Sequence, residues 1–224
     1  MVESTGTPPR SLLWGFVVAV VGTAALCAAP AIDAQEVGRI TYLEGDVGLV
    51  RDGSVRSGYD LTLGEPVLEL DVIQTGYDGY AEIELDNPAG STVKVTENAA
   101  YYVEIETDES GAATTRLKLL NGSLELAVEK VSRTSRLEVE TRSVILGVRG
   151  TEFDVLTSPD EAALLGVRDG VVSVTTPGER TVAEAGTAVQ SVPDEGLSSE
   201  TVPNGDFDAY YARRTEIRLQ AFRS

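Results

Sequence analysis

From residue 38 to residue 192 the chain alternates apolar and polar positions with a period of two. Leu68, Leu70 and Val72 are separated by Glu69 and Asp71, and Ala81, Ile83 and Leu85 by Glu82 and Glu84. Val93 and Val95 flank Lys94. Tyr101, Val103 and Ile105 alternate with Tyr102 and Glu104, and Leu137 and Val139 with Glu138 and Glu140. Successive strand side chains point to opposite faces, so each run predicts a strand with one buried and one wet face. Turn residues recur between the runs, among them Glu44-Gly45-Asp46, Asp52-Gly53, Asn87-Pro88, Asn121-Gly122, Asp169-Gly170 and Pro177-Gly178. No segment here sustains a helical period. The pattern predicts an all-β fold, either an antiparallel β-sandwich or a short β-solenoid of hairpins.

Two runs say more. In Val144-Ile-Leu-Gly-Val-Arg-Gly-Thr-Glu-Phe-Asp-Val155 the apolar positions are even-numbered up to Val148 and odd-numbered from Phe153. Such a parity switch needs a bulge or a bend, and Gly150 is the residue that permits one. Phe153 and Val155 are then core residues, and Glu152 and Asp154 face water. In Leu165-Gly-Val-Arg-Asp-Gly-Val-Val-Ser-Val174 the Asp169-Gly170 pair between apolar alternations reads as a hairpin. Leu117, Leu119, Leu124 and Leu126 stand at the same offsets from Gly122 as Leu165, Val167, Val172 and Val174 do from Gly170. Two hairpins in equivalent places of a pseudo-repeat, or a shared hairpin grammar without symmetry, both fit the echo.

These segments resemble the FecR domain, the periplasmic part of transmembrane anti-sigma regulators of iron uptake. Its V-x-G-T-x-F-x-V signature stands here as Val148-Arg-Gly150-Thr151-Glu-Phe153-Asp-Val155, and its V-x-x-G-x-V-x-V segment as Val167-Arg-Asp-Gly170-Val-Val172-Ser-Val174. Thr75-Gly76 to Leu85 and Leu117 to Leu126, with Gly122, match further family segments. The resemblance covers roughly residues 36–192 and implies that Gly122, Gly150, Thr151, Phe153, Val155 and Gly170 form a structural motif. There are departures. Thr141-Arg142 stands where the family often has Thr-Pro. Membrane regulators of this kind carry a folded cytoplasmic domain before the membrane segment, where eleven residues precede the apolar run here. Sigma-factor control is therefore not expected.

The ends differ from the body. Residues 12–29 are apolar or small and uncharged, and Ile32-Asp-Ala34 follows. Residues 1–34 thus read as a signal peptide cleaved after Ala34 or, uncleaved, as an N-terminal membrane anchor. Either places the rest outside the cytoplasm, periplasmic or secreted. Residues 193–205 read as a linker from their Pro, Gly, Ser and acidic content. Asp206 then caps an expected helix from about Phe207 to Ala221, within a C-terminal segment 206–224.

Charge and chemistry narrow the functions. The net charge of −18 makes nucleic acid and anionic membrane improbable partners. The chain has no histidine, and its one cysteine, Cys27, lies in the export segment. Cofactors are expected to be absent, and the mature chain cannot build Cys/His metal sites or Ser-His-Asp catalysis. The pairs Glu82/Glu84, Glu104/Glu106 and Glu138/Glu140 share strand faces opposite apolar residues, which describes a solvated sheet rather than a carboxylate pair for hydrolysis. Asp108-Glu109 and Asp160-Glu161 lack a calcium-loop pattern. An enzyme is not expected. The expectation is an exported interaction or signal-sensing domain of the cell envelope with an unidentified protein partner. The alternative is a binder of cell-wall or extracellular glycan through Tyr77, Tyr80, Tyr101 and Tyr102. The tail pairs aromatics with Arg213, Arg214, Arg218 and Arg223, so Phe207, Tyr210, Tyr211 and Arg214 are the candidate partner contacts, with self-packing on the acidic body as the competing expectation.

Overall fold

The computed structural model describes residues 34–130, 135–158 and 161–212. The chain runs as β1 (Glu36–Glu44), β2 (Val47–Arg51), β3 (Ser54–Ser57), β4 (Pro66–Leu68), β5 (Val72–Thr75) and β6 (Tyr80–Leu85). Next come β7 (Ser91–Val95), β8 (Ala100–Thr107), the fifteen-residue β9 (Ala113–Ala127), β10 (Ser135–Glu140), β11 (Ile145–Val148) and β12 (Glu152–Thr157). Then follow β13 (Ala163–Asp169), β14 (Val171–Thr175), β15 (Arg180–Glu184), β16 (Thr187–Val192) and β17 (Gly196–Thr201). A helix, α1, begins at Phe207 and is described to residue 212. The fold is all-β.

The strands form two open sheets that share β9. Sheet A runs β4-β1-β6-β7-β9-β12-β13-β16-β17. Sheet B runs β3-β2-β5-β8-β9-β10-β11-β14-β15. Every pairing is antiparallel except β9 with β10. The first part of β9 pairs within sheet B and the part beyond Gly122 within sheet A. Both sheets grow in the same direction as the chain proceeds, so the sandwich is built like a short solenoid. Inward residues of both sheets, such as Leu117 and Val174 from B and Leu124 and Val167 from A, form one apolar core.

The glycine turns divide into two kinds. At Asp52-Gly53 both residues take positive φ, 50° and 74°, as a two-residue type I′ turn requires, and β2 pairs with β3. At Asp169-Gly170 only Gly170 does, at 83°. Asp169 stays in β13, and the chain swings from sheet A into sheet B instead of turning back. The expected hairpins at Asn121-Gly122 and Asp169-Gly170 are therefore crossings between sheets. Gly150, at φ 70°, makes a third, from β11 in sheet B to β12 in sheet A. That passage explains the parity switch, since the core lies on opposite sides of the two sheets.

Two more expectations are corrected. Leu68, Leu70 and Val72 do not share one strand. Leu70 sits at φ 67° with its side chain exposed, in a turn between β4 and β5. Buried Asp71 closes that turn by accepting the Leu68 N–H and binding Arg51 at 2.6 Å. Residues 193–205 are not a linker: β17 pairs along its whole length with β16, and its residues are polar because they form a sheet edge. The export segment, residues 1–33 with the 12–29 run, and the helix beyond residue 212 lie outside the described residues.

Candidate functional site

The motif residues build the crossings. Val148 and Phe153 are core residues on either side of Gly150, and Val155 follows Phe153 into the core of sheet A. Thr151 is buried, and its carbonyl accepts the Val128 N–H. A Cβ on Gly170 would meet Thr151 Cγ2 at 2.6 Å and the Gly150 carbonyl at 2.7 Å, so two crossings abut through these glycines. A Cβ on Gly122 would meet Ala99 Cα at 2.5 Å. Gly150 and Gly170 are held by close backbone approach at one end of the strands, and Gly122 at the other, beside Thr157. None of them presents a reactive group to solvent.

The outer face of sheet A carries a second cluster. Asp154, expected to face water, is 4% exposed. It lies beneath α1 because Gly166, on the neighbouring strand, leaves room for the helix. A Cβ there would stand 1.9 Å from Tyr211 Oη and 2.7 Å from a Phe207 ring atom. Asp206 caps the helix by accepting the Ala209 N–H. Phe207 and Tyr210 pack with Leu164, Ala188 and Val202, and Tyr211 packs against this cluster. Arg168 donates to Asp154 at 2.9 Å and to Asp208 at 3.1 Å, and its guanidinium lies 5.4 Å from the Phe207 ring centre. The Tyr211 hydroxyl lies beside Asp154 as well. Burial pushes the Asp154 carboxyl up to about 6, against the opposing pull of Arg168. Burial, with the Asp154 charge next, raises the Tyr211 hydroxyl too.

Phe207, Tyr210 and Tyr211 are thus spent on the chain's own sheet. Of these candidate partner contacts Phe207 and Tyr210 are buried and Tyr211 is half-buried, and Arg214 lies outside the described residues. Asp154 was missed because strand alternation assigns it to solvent. The one available signal was Gly166, a glycine inside a strand, which marks close approach by another element.

The outer face of sheet B is an ion-pair lattice at its centre. Arg116 on β9 reaches Glu106 on β8 at 2.8 Å and Glu138 and Glu140 on β10 at 3.0 and 3.4 Å. Lys118 reaches Glu104 at 3.2 Å and Glu140 at 3.7 Å. The bond to Glu104 is the main cause of the raised Lys118 pKa. Four of the six paired glutamates thus surround two cations. Glu82 accepts the Tyr80 hydroxyl at 2.7 Å. Asp108 organises a turn by accepting from Ser110 and Ala112. Among the described residues no three potential metal ligands cluster. The tyrosines do not form a row: Tyr101 is sealed in the core, Tyr102 lies on sheet B, Tyr77 is exposed, and Tyr80 meets Tyr42 edge to face at 5.8 Å.

Comparison with known proteins agrees with this architecture. No curated protein matches the chain. Two crystal structures of a proposed anti-sigma factor from Parabacteroides distasonis ATCC 8503 share the fold, each with a TM-score of 0.52 and 17% identity over 62% of this chain. The match spans 63% and 64% of those chains, less than two thirds of their length. The family model described as FecR protein matches residues 71–173, from the turn before β5 to β14 and across all three glycine crossings. Residues 71–173 are thus similar to the FecR protein family.

Proposed function

We propose that this protein is an exported, non-enzymatic FecR-domain protein that works by binding protein partners in the cell envelope, sensing or relaying a signal there. The FecR match over the central strands carries the reading. The fold supports it in a physical way. An open sandwich ends in edge strands, which offer backbone groups to another polypeptide. The site chemistry supports it too, since Asp154 and the sheet B glutamates are engaged with Arg168, Arg116 and Lys118. Export rests on the uncharged run 12–29 and the Ile32-Asp-Ala34 boundary.

Glycan binding has one observation in its favour. Tyr80 lines an open groove of about 630 Å³ with Glu44, Asp78 and Glu97, and exposed Tyr77 precedes Asp78. Cross-linking in intact cells followed by mass spectrometry separates the readings. The proposal expects a defined envelope protein joined to the chain, and an intact mass that begins at Gln35. Retention on peptidoglycan or a glycan array, with no protein cross-link, would replace it with the glycan reading. Recovery of the chain in the cytosol would remove both.

A further inference from the structure

The outer face of sheet B changes character beyond β10. Strands β11, β14 and β15 turn Ile145, Gly147, Val171, Ser173 and Val182 outward, with Ile145, Val171 and Val182 respectively 40, 49 and 56% exposed. In a chain of net charge −18 this is an apolar patch, and it runs to an edge. Among the described residues, β15 pairs with β14 alone.

The direction of its backbone groups follows from the register. The Thr176 N–H donates to the Glu179 carbonyl and closes the β14–β15 turn. Bonded and non-bonded pairs alternate along an antiparallel ladder, so Val174 with Thr181 and Val172 with Ala183 exchange bonds. Arg180, Val182 and Glu184 therefore point their N–H and C=O groups at the open edge. The other three edges are blunted. β4 has three residues and begins with Pro66. β3 has four, and its Arg56 is engaged by Glu65. On β17 the Leu197 N–H is taken by the Glu179 carboxylate. Short strands, proline and charge are the usual guards of an edge; β3 also exposes a valine, Val55, but is shorter than β15, which centres on Val182.

We propose that β15 is a homodimer interface, pairing antiparallel with β15 of a second copy about a two-fold axis at Val182. The sequence Arg180-Thr-Val182-Ala-Glu184 is complementary to itself in this arrangement. Val182 meets its own counterpart, and Arg180 stands opposite Glu184 of the second copy on both sides of the axis. These three positions are also the ones with open backbone groups, so the pairing forms about six new hydrogen bonds. Their side chains lie on the outer face, where the two Val182 residues join the Val171 residues in one strip. The contact is isologous and closes on itself, so it yields a dimer rather than a fibre. A foreign strand would have to supply Arg and Glu at the same spacing, whereas the second copy supplies both by symmetry.

The test is sedimentation of the purified chain at about 0.15 M salt, where long-range repulsion between the acidic bodies is screened beyond about 8 Å. Wild type is expected to show a reversible monomer–dimer equilibrium. Arg180→Glu and Glu184→Arg each set like charges opposite one another twice and are expected to weaken the dimer about tenfold or more. The double exchange restores opposite charges and is expected to recover the wild-type constant, which no unfolded variant could do. In a Cys27→Ser background, Val182→Cys is expected to form a disulfide dimer on oxidation, because the counterpart Cα atoms would lie about 5.5 Å apart. Val55→Cys on β3 is expected to remain monomeric. A wild-type monomer at all accessible concentrations overturns the proposal. So does a dimer indifferent to the single exchanges, or a double exchange as weak as either single one. Binding of another protein's strand to a strictly monomeric chain would assign the edge to that partner instead.

Discussion

The two sheets treat their outer faces differently near the C-terminal end. On sheet A, Leu164, Gly166 and Ala188 lie under α1, and the charges beside them, Asp154, Arg168 and Glu200, are bonded to each other or to the helix. On sheet B the corresponding strands leave Ile145, Val171 and Val182 in solvent, and the charges gather at the centre around Arg116 and Lys118. An apolar sheet face is stable only when covered or when small. One face has its cover in the same chain, and the other has none among the described residues. The aromatic residues Phe207, Tyr210 and Tyr211 are therefore cover for the chain itself, and the uncovered apolar surface lies on the opposite sheet.

Glycine substitutions should break the comparison most sharply. Gly166→Ala puts a Cβ among Tyr211 and Phe207 atoms, all under 3 Å away, and α1 must lift. A cost of about 2–3 kcal/mol in denaturant unfolding is expected. Gly147→Ala, on sheet B, meets only the Ser173 hydroxyl at 2.5 Å, which can rotate away. Its expected cost is under about 1 kcal/mol. Equal costs would mean that the helix does not bear on Gly166.

Charge removal should sort the same way, with smaller effects. Asp154→Ala leaves Arg168 beneath the helix with Asp208 as its remaining partner, and about 2 kcal/mol is expected, since Arg168 is itself part-exposed. Arg116→Ala opens a lattice whose glutamates are 26–61% exposed, against 6% for Asp154, and about 1 kcal/mol or less is expected. Chemical denaturation of the two variants in parallel checks the ranking.

A pH profile sharpens the sheet A side further. The Asp154 carboxyl has its folded pKa raised from 3.8 to about 6, chiefly by burial. Between those values the folded chain holds a proton that the unfolded chain has lost. This group's contribution to stability therefore falls as pH rises from about 4 to about 6, and is level outside that window. Asp154→Asn is expected to flatten the profile there. A contribution that rises with pH over the same window would mean that Arg168, not burial, governs the site.

How much of this could be read from the chain depended on what alternation encodes. Period two gave the strands and placed Phe153, Val155, Leu117 and Val174 in the core, because inward side chains leave a direct mark on polarity. It did not distinguish a hairpin from a crossing. Val167 and Val172 straddle Gly170 with the same parity whether they sit side by side in one sheet or face each other across the core. Only the second positive φ separates Asp52-Gly53 from Asp169-Gly170, and both dipeptides are spelled alike. Asp154 was illegible because alternation reports the inner core and not a helix lying on the outer face. The β15 edge was unreadable for a related reason. Which strand ends a sheet depends on the order of pairing, and Arg180-Thr-Val-Ala-Glu184 reads locally like any exposed strand.

The most direct test of the contrast between the faces is the thermal melt of the chain truncated after Val202. Removing α1 should expose Leu164, Ala188 and the Asp154–Arg168 pair. A fall in melting temperature of about 5–10 °C is expected, from the loss of roughly 3 kcal/mol of packing. A melting temperature unchanged from the full chain would contradict the account, because the helix would then not be the cover of sheet A.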